Sequence, residues 1–112
     1  MSEQKTESAI NWIRDNAALY AKAKSQRVYL EQYRKSKKAI LIQNSPADYK
    51  TTQAKESYAY AHAEYLDVLE ALKIAVEEEE RLRFLIKAAE LKFEQWRTLQ
   101  ANRRVEHNRY GN

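Results

Sequence analysis

The sequence has no cysteine and only one glycine and one proline among its 112 residues. The absence of cysteine excludes disulfides and thiolate metal sites. A single glycine excludes the glycine-rich loops that bind phosphates, and so few turn-forming residues argue against a β-sheet. No apolar run approaches the ~20 residues of a membrane span, and the start MSEQKTESA has no signal-like apolar core. We therefore expect a soluble, cytoplasmic protein without a membrane partner.

The side chains needed for catalysis are also sparse. His62 and His107 lie far apart on one predicted helix, and no His, Asp or Glu cluster has metal-ligand spacing. The four consecutive glutamates Glu77 to Glu80 point to different sides of a helix and form no carboxylate pair. We predict no catalytic residue, no metal, no cofactor and no enzymatic activity.

Helix-favouring residues dominate what is present, and apolar residues recur every seven positions in two stretches, Trp12 to Ile40 and Tyr65 to Trp96. Pro46 lies between them. This pattern predicts one all-α domain over residues 1–112, a long antiparallel hairpin of the coiled-coil type. Its predicted elements are a helix over about 8–43, a connector or short helix over 46–60, and a helix over about 62–108. A two-helix hairpin buries little surface per residue, so we also expect a homo-oligomer.

The heptad spacing predicts which side chains form the seam between the two long helices. Pairing the helices outward from the turn places Trp12 near Phe93 or Trp96, and Glu77 to Glu80 near Lys24 and Arg27. On the first helix the predicted seam is Trp12, Leu19, Gln26, Tyr33 and Ile40, with Asn16, Ala23, Leu30 and Lys37. On the last helix it is Tyr65, Val68, Leu72, Ala75, Glu79, Leu82, Ile86, Ala89, Phe93 and Trp96.

Some apolar residues lie off this seam. Phe84, Ala88 and Leu91 lie on the opposite face of the last helix, and Ile10 and Val28 belong to a second stripe of the first. Two explanations remain open. The middle segment folds back over these faces, or a second copy of the chain covers them. We prefer self-association and predict these five residues as the oligomer interface.

Basic residues form two zones separated by an acidic one. In the first, Arg27, Arg34 and Lys38 share a helical face that Lys35 and Lys37 widen. We call these five residues the basic strip. In the second zone, Arg103 and Arg104 lie near the end of the last helix. Cations in a row can follow the phosphates of a single strand. The alternatives are solvated faces, or pairing of the basic strip with acids such as Glu64, Asp67 and Glu70.

Nearly the whole chain resembles a known group. The segments SQRVYLEQYRKSKKA (25–39), YAYAHAEY (58–65), VEEEERLRF (76–84) and WRTL (96–99) are similar to small helical proteins of tailed bacteriophages and prophages, encoded in the early region. The resemblance implies a protein associated with recombination or replication genes. It supplies no catalytic residues.

Two functions are consistent with these features. In the first, a non-enzymatic phage accessory protein binds single-stranded DNA, or a phage or host recombination or replication protein, through its basic faces. In the second, the chain is a helical protein–protein interaction module without nucleic-acid binding. The sequence does not assign a role to the tyrosines near the turn, which are Tyr49, Tyr58, Tyr60 and Tyr65.

Overall fold

A computed structural model describes residues 2–110 and contains three helices within them. Helix α1 spans Glu3–Gln43, α2 spans Thr52–Ala61 and α3 spans Ala63–Tyr110. No strand occurs over these described residues. The prediction of an all-α helical hairpin is confirmed, with α1 and α3 as its long arms.

The helix ends follow from local capping, and two differ from the prediction. Helix α1 begins at Glu3 rather than near residue 8, because the Ser2 side chain accepts a hydrogen bond from the Lys5 N–H at 3.2 Å. Helix α2 begins only at Thr52, since the Thr51 side chain accepts from the Ala54 N–H at 3.0 Å. Helix α1 ends at Gln43 as predicted, shortly before Pro46.

The chain forms two compact units. The first joins Met1–Tyr20 to Arg81–Asn112, of which residues 2–20 and 81–110 are described, and the second is Ala21–Glu80. In the first unit α1 lies beside α3. In the second, α2 joins them as a third helix, and its Ala59 is fully buried with Leu41 and Tyr65.

The α3 seam is confirmed in both units. In the second unit Tyr65, Val68, Ala75 and Glu79 are buried. In the first unit Leu82 is buried, and the half-buried positions that follow are Ile86, Ala89, Phe93 and Trp96.

The α1 seam requires a correction. Its predicted positions Asn16, Ala23, Leu30 and Lys37 are half-buried, but the other five are wrong, because Trp12, Leu19, Gln26, Tyr33 and Ile40 are exposed. The less exposed residues lie one position later, at Ile13, Tyr20, Arg27, Arg34 and Leu41. The physical reason is the buried Glu79, whose carboxylate needs a cationic partner and finds it in Arg27.

The off-seam apolar residues are not covered. Phe84 is 55% exposed, Leu91 61%, Ile10 49% and Val28 41%. The explanation in which the middle segment folds over them is wrong, because all four side chains are exposed.

Candidate interaction surfaces

Arg27, the first residue of the basic strip, is held inside the second unit. Its Nε and Nη2 donate to the two carboxylate oxygens of Glu79, the latter at 3.0 Å, and Nη1 donates to Glu31 at 3.1 Å. These hydrogen bonds, led by those to Glu79, raise the pKa of Arg27 above its ordinary value. Arg27 is therefore a structural cation of the seam.

Two lysines of the basic strip also have partners within the second unit. Lys37 Nζ lies 3.3 Å from Glu64 Oε2, so the predicted pairing with Glu64 is confirmed for Lys37. Lys38 Nζ donates to Tyr60 Oη at 2.6 Å and lies 4.5 Å from the centre of that ring. The hydrogen bond to Tyr60 raises the pKa of Lys38.

The other predicted cations are distributed over separate places. Arg34 is half-buried at a seam position of α1, and Lys35 is exposed. Arg103 and Arg104 are exposed in the last part of α3, where every residue from 101 to 109 is exposed. The five residues of the basic strip are thus close in sequence, but most of them face other parts of the second unit.

An apolar groove lies between α1 and α3 of the first unit. We call it the first-unit groove; it has a volume of about 320 Å³. The predicted approach of Trp12 to Phe93 is confirmed here, because both line it, and Phe93 also packs on Trp96 with ring centres 5.8 Å apart. The lining residues are Ala9, Trp12, Ile13, Ala89, Lys92 and Phe93.

Further exposed apolar residues extend this surface. Leu19 follows Trp12 by one heptad and is 52% exposed, and Leu85 precedes Lys92 by one heptad and is 41% exposed. Residues one heptad apart share a helix side, so Leu19 lies on the same side of α1 as Trp12, and Leu85 on the same side of α3 as Lys92. Sequence reasoning missed this surface because it assigned Trp12 and Leu19 to the seam.

The predicted oligomer residues occupy other faces. Phe84, Ala88 and Leu91 are exposed along one stripe of α3, and Arg83 Cζ lies 4.4 Å from the centre of the Phe84 ring. Ile10 belongs to the first unit and Val28 to the second. The structure therefore groups Phe84, Ala88 and Leu91, which we call the α3 stripe.

The tyrosines near the turn divide into two groups. Tyr60 and Tyr65 pack edge to face at 5.4 Å, and Tyr65 is part of the buried cluster. Tyr49 and Tyr58 pack at 5.2 Å, and Tyr58 meets His62 at 5.5 Å. The second group lines a groove of about 390 Å³, which we call the tyrosine groove. Its lining residues are Tyr49, Ser57, Tyr58, Ala61 and His62.

The described residues contain neither a metal-binding cluster nor a membrane-spanning helix. Among residues 2–110, no His, Asp and Glu side chains are grouped so that they could hold a metal ion. Over the same residues, no helix has a long enough apolar stretch to cross a membrane.

Comparison with protein-family models, with curated proteins and with solved structures found no match. Function is therefore inferred from the surfaces of this chain.

Proposed function

We propose that this protein is a non-enzymatic helical interaction module whose first unit binds a second copy of the chain. The observation that supports this most is Trp12, which is 42% exposed on the wall of an apolar groove. Tryptophan and phenylalanine are enriched at the centres of protein interfaces, where they contribute much of the binding energy. Trp12 and Phe93 are the anchors of the proposed contact.

The size and shape of the first unit favour a second copy as its occupant. Two helices side by side bury one seam, and two such pairs packed face to face make a four-helix bundle with a shared core. The paired part, α1 from Glu3 to Tyr20, is ~27 Å long at ~1.5 Å per residue, and two helices are ~20 Å wide. A face of that size in each copy gives ~1,100 Å² in total, near the lower limit of stable interfaces.

The test compares two surfaces with the same substitution. Trp12→Glu combined with Leu19→Glu places charges on the face of the first-unit groove. We expect the dissociation constant of the dimer to rise by ~10-fold or more, measured by analytical ultracentrifugation. Phe84→Glu combined with Leu91→Glu is the matched control on the α3 stripe. All four side chains are exposed, so helicity by circular dichroism should not change. If only the control pair dissociates the dimer, the α3 stripe is the interface.

The second candidate is the function that the sequence favours, an accessory protein that binds single-stranded nucleic acid or a phage or host recombination or replication protein. Exposure of Lys35, Arg103 and Arg104 supports it, whereas the internal contacts of Arg27, Lys37 and Lys38 weaken the case for the basic strip. If Arg103 and Arg104 contact phosphates, Arg103→Gln with Arg104→Gln should reduce the salt slope of oligonucleotide binding by ~1.4. An unchanged slope would exclude them.

A further inference from the structure

The charges of the first unit bear on how two copies of the chain are oriented. We infer that the two copies lie parallel, so that α1 of each copy packs on α3 of the other and Trp12 of one copy covers Lys92 of the other. This inference rests on the proposed function and adds to it the orientation of the copies and a charged contact at the centre of their interface.

Trp12 and Lys92 lie level with each other on the two walls of the first-unit groove. Both line it, Trp12 from α1 and Lys92 from α3. Trp12 is also at the middle of the paired part of α1, residues 3–20. Because α1 and α3 are antiparallel arms of a hairpin, residues that follow Trp12 are level with residues that precede Lys92. Leu19 and Leu85 are thus level with each other, ~10.5 Å from the centre of the face at ~1.5 Å per residue.

The two walls of the groove differ in charge. On α3, the exposed Lys92 lies between the exposed Leu85 and Leu99, which are one heptad away on either side. On α1, the exposed Asp15 follows Trp12 by three residues, so it lies about one turn further along that helix. Among the described residues, neither Lys92 nor Asp15 has a hydrogen bond or an ion pair. Each charge is therefore available to a second copy.

A two-fold dimer that overlaps the whole face has two orientations. Overlap has to be complete, since a face of ~1,100 Å² is near the lower limit of stable interfaces. In the antiparallel orientation α3 packs on α3, and the two-fold axis passes through the centre of the face. Lys92 then meets Lys92 of the other copy, and like charges at the centre of an interface oppose association. In the parallel orientation α3 packs on α1, and Lys92 meets Trp12 instead.

The contact of Lys92 with Trp12 is favourable. Tryptophan attracts cations to its ring face more strongly than the other aromatic side chains do, and Trp12 is 42% exposed on the groove. The lysine stem covers apolar surface while its ammonium stays at the edge of the ring, and Asp15 of the other copy lies one turn away. The parallel orientation thus gives Lys92 both a ring and a carboxylate.

The test uses engineered cysteines, because the native chain contains none. Chains with Leu19→Cys are mixed with chains that carry Leu85→Cys and a tag, and the mixture is oxidised mildly. Parallel copies place these two positions on facing helices at the same level, so we expect a disulfide-linked heterodimer on a denaturing gel. The matched mixture, Leu85→Cys with Leu99→Cys, should not crosslink, since parallel copies keep their α3 helices apart. Antiparallel copies give the reverse result.

A second measurement follows the charge of Lys92. Lys92→Gln removes the cation, so parallel copies lose two cation–π contacts per dimer. We expect the dissociation constant at low salt, measured by analytical ultracentrifugation, to rise by roughly 5- to 30-fold. Antiparallel copies would instead lose a repulsion and associate more tightly. Lys87→Gln, at an exposed lysine of the same unit outside the groove lining, is the matched control and should have no effect.

The outcomes separate the orientation from the proposed function. A disulfide between positions 85 and 99, or tighter association of Lys92→Gln, overturns the parallel orientation but leaves a second copy on the first-unit groove. No disulfide in either mixture, although each chain has the mass of a dimer, places the interface elsewhere and rejects both. A mass of 13.2 kDa for the unaltered chain at every concentration also rejects both.

Discussion

The two units are built on the same two long helices, yet among the described residues the second unit buries five apolar side chains and the first buries Leu82 alone. The second unit has α2 as a third helix, and Ala59 of α2 completes a buried cluster with Leu41 and Tyr65. The first unit has no third helix among its described residues, and Trp12 and Leu19 remain exposed beside its seam. Two packed helices bury only the side chains of the seam between them, so a third helix is needed to bury apolar side chains that lie beside that seam. The open unit is therefore the one that we expect to bind a partner.

The seams of the two units also differ in chemistry. The second unit contains the Arg27–Glu79 ion pair, in which Glu79 is buried. The first unit continues with Leu82, Ile86 and Phe93 on α3. A buried ion pair adds little net stability compared with apolar packing, but it penalises every register in which one of the charges loses its partner. We infer that this pair selects the register of the hairpin.

The largest expected effect on stability comes from a substitution in the buried cluster of the second unit. Leu41→Ala removes a side chain that is only 4% exposed and should lower the free energy of unfolding by ~2–4 kcal/mol, measured by urea titration followed by circular dichroism. Leu19→Ala, at an exposed position of the first unit, is the matched control and should cost far less in the monomer. If the two variants lose the same free energy of unfolding, the second unit does not bury its apolar residues better than the first.

A smaller effect is expected from the ion pair of the second unit. Glu79→Ala leaves Arg27 half-buried with Glu31 as its remaining carboxylate partner, so the melting temperature should fall by several degrees. The double change Arg27→Met with Glu79→Leu replaces both charges by apolar groups and should recover most of the loss. If the double variant is as unstable as the single one, the ion pair contributes to stability in addition to selecting the register.

The smallest effect concerns the first unit. Trp96 Nε1 is buried and has no hydrogen-bond partner in the described structure. Trp96→Phe removes this donor and keeps an aromatic ring, so we expect stability that is unchanged or slightly higher, because an unpaired buried donor costs ~1–3 kcal/mol. The stability of the variant is measured by thermal denaturation at fixed protein concentration. A clear loss would mean that the indole contributes packing that phenylalanine does not replace.

Much of the fold followed from the sequence because α3 repeats its apolar residues with little interruption. The heptad spacing predicted its seam from Tyr65 to Trp96 and the approach of Trp12 to Phe93. The same reasoning failed for five of the nine predicted α1 seam positions. There two of the central positions are Arg27 and Arg34, and spacing of apolar residues treats such cations as gaps. Pairing the helices outward from the turn did place Glu77 to Glu80 near Arg27, and the hydrogen bonds from Arg27 to Glu79 confirm that approach.

The candidate surfaces were harder to predict from the sequence, for two physical reasons. The first-unit groove depends on a one-residue shift in the α1 seam, which moves Trp12 and Leu19 from the interior to the surface. The tyrosine groove depends on the turn between α1 and α2, where the Tyr49 N–H bonds to Pro46. No periodicity predicts such a turn. The oligomer contacts predicted from the sequence, Phe84, Ala88, Leu91, Ile10 and Val28, are an alternative to the first-unit groove that the two pairs of glutamate substitutions distinguish.

The central claim is that the open first unit associates with a second copy, and the mass of the unaltered chain in solution tests it most directly. Multi-angle light scattering over a range of protein concentrations should give about twice the chain mass of 13.2 kDa at the higher concentrations, falling toward 13.2 kDa on dilution. A mass of 13.2 kDa at every concentration would contradict the claim.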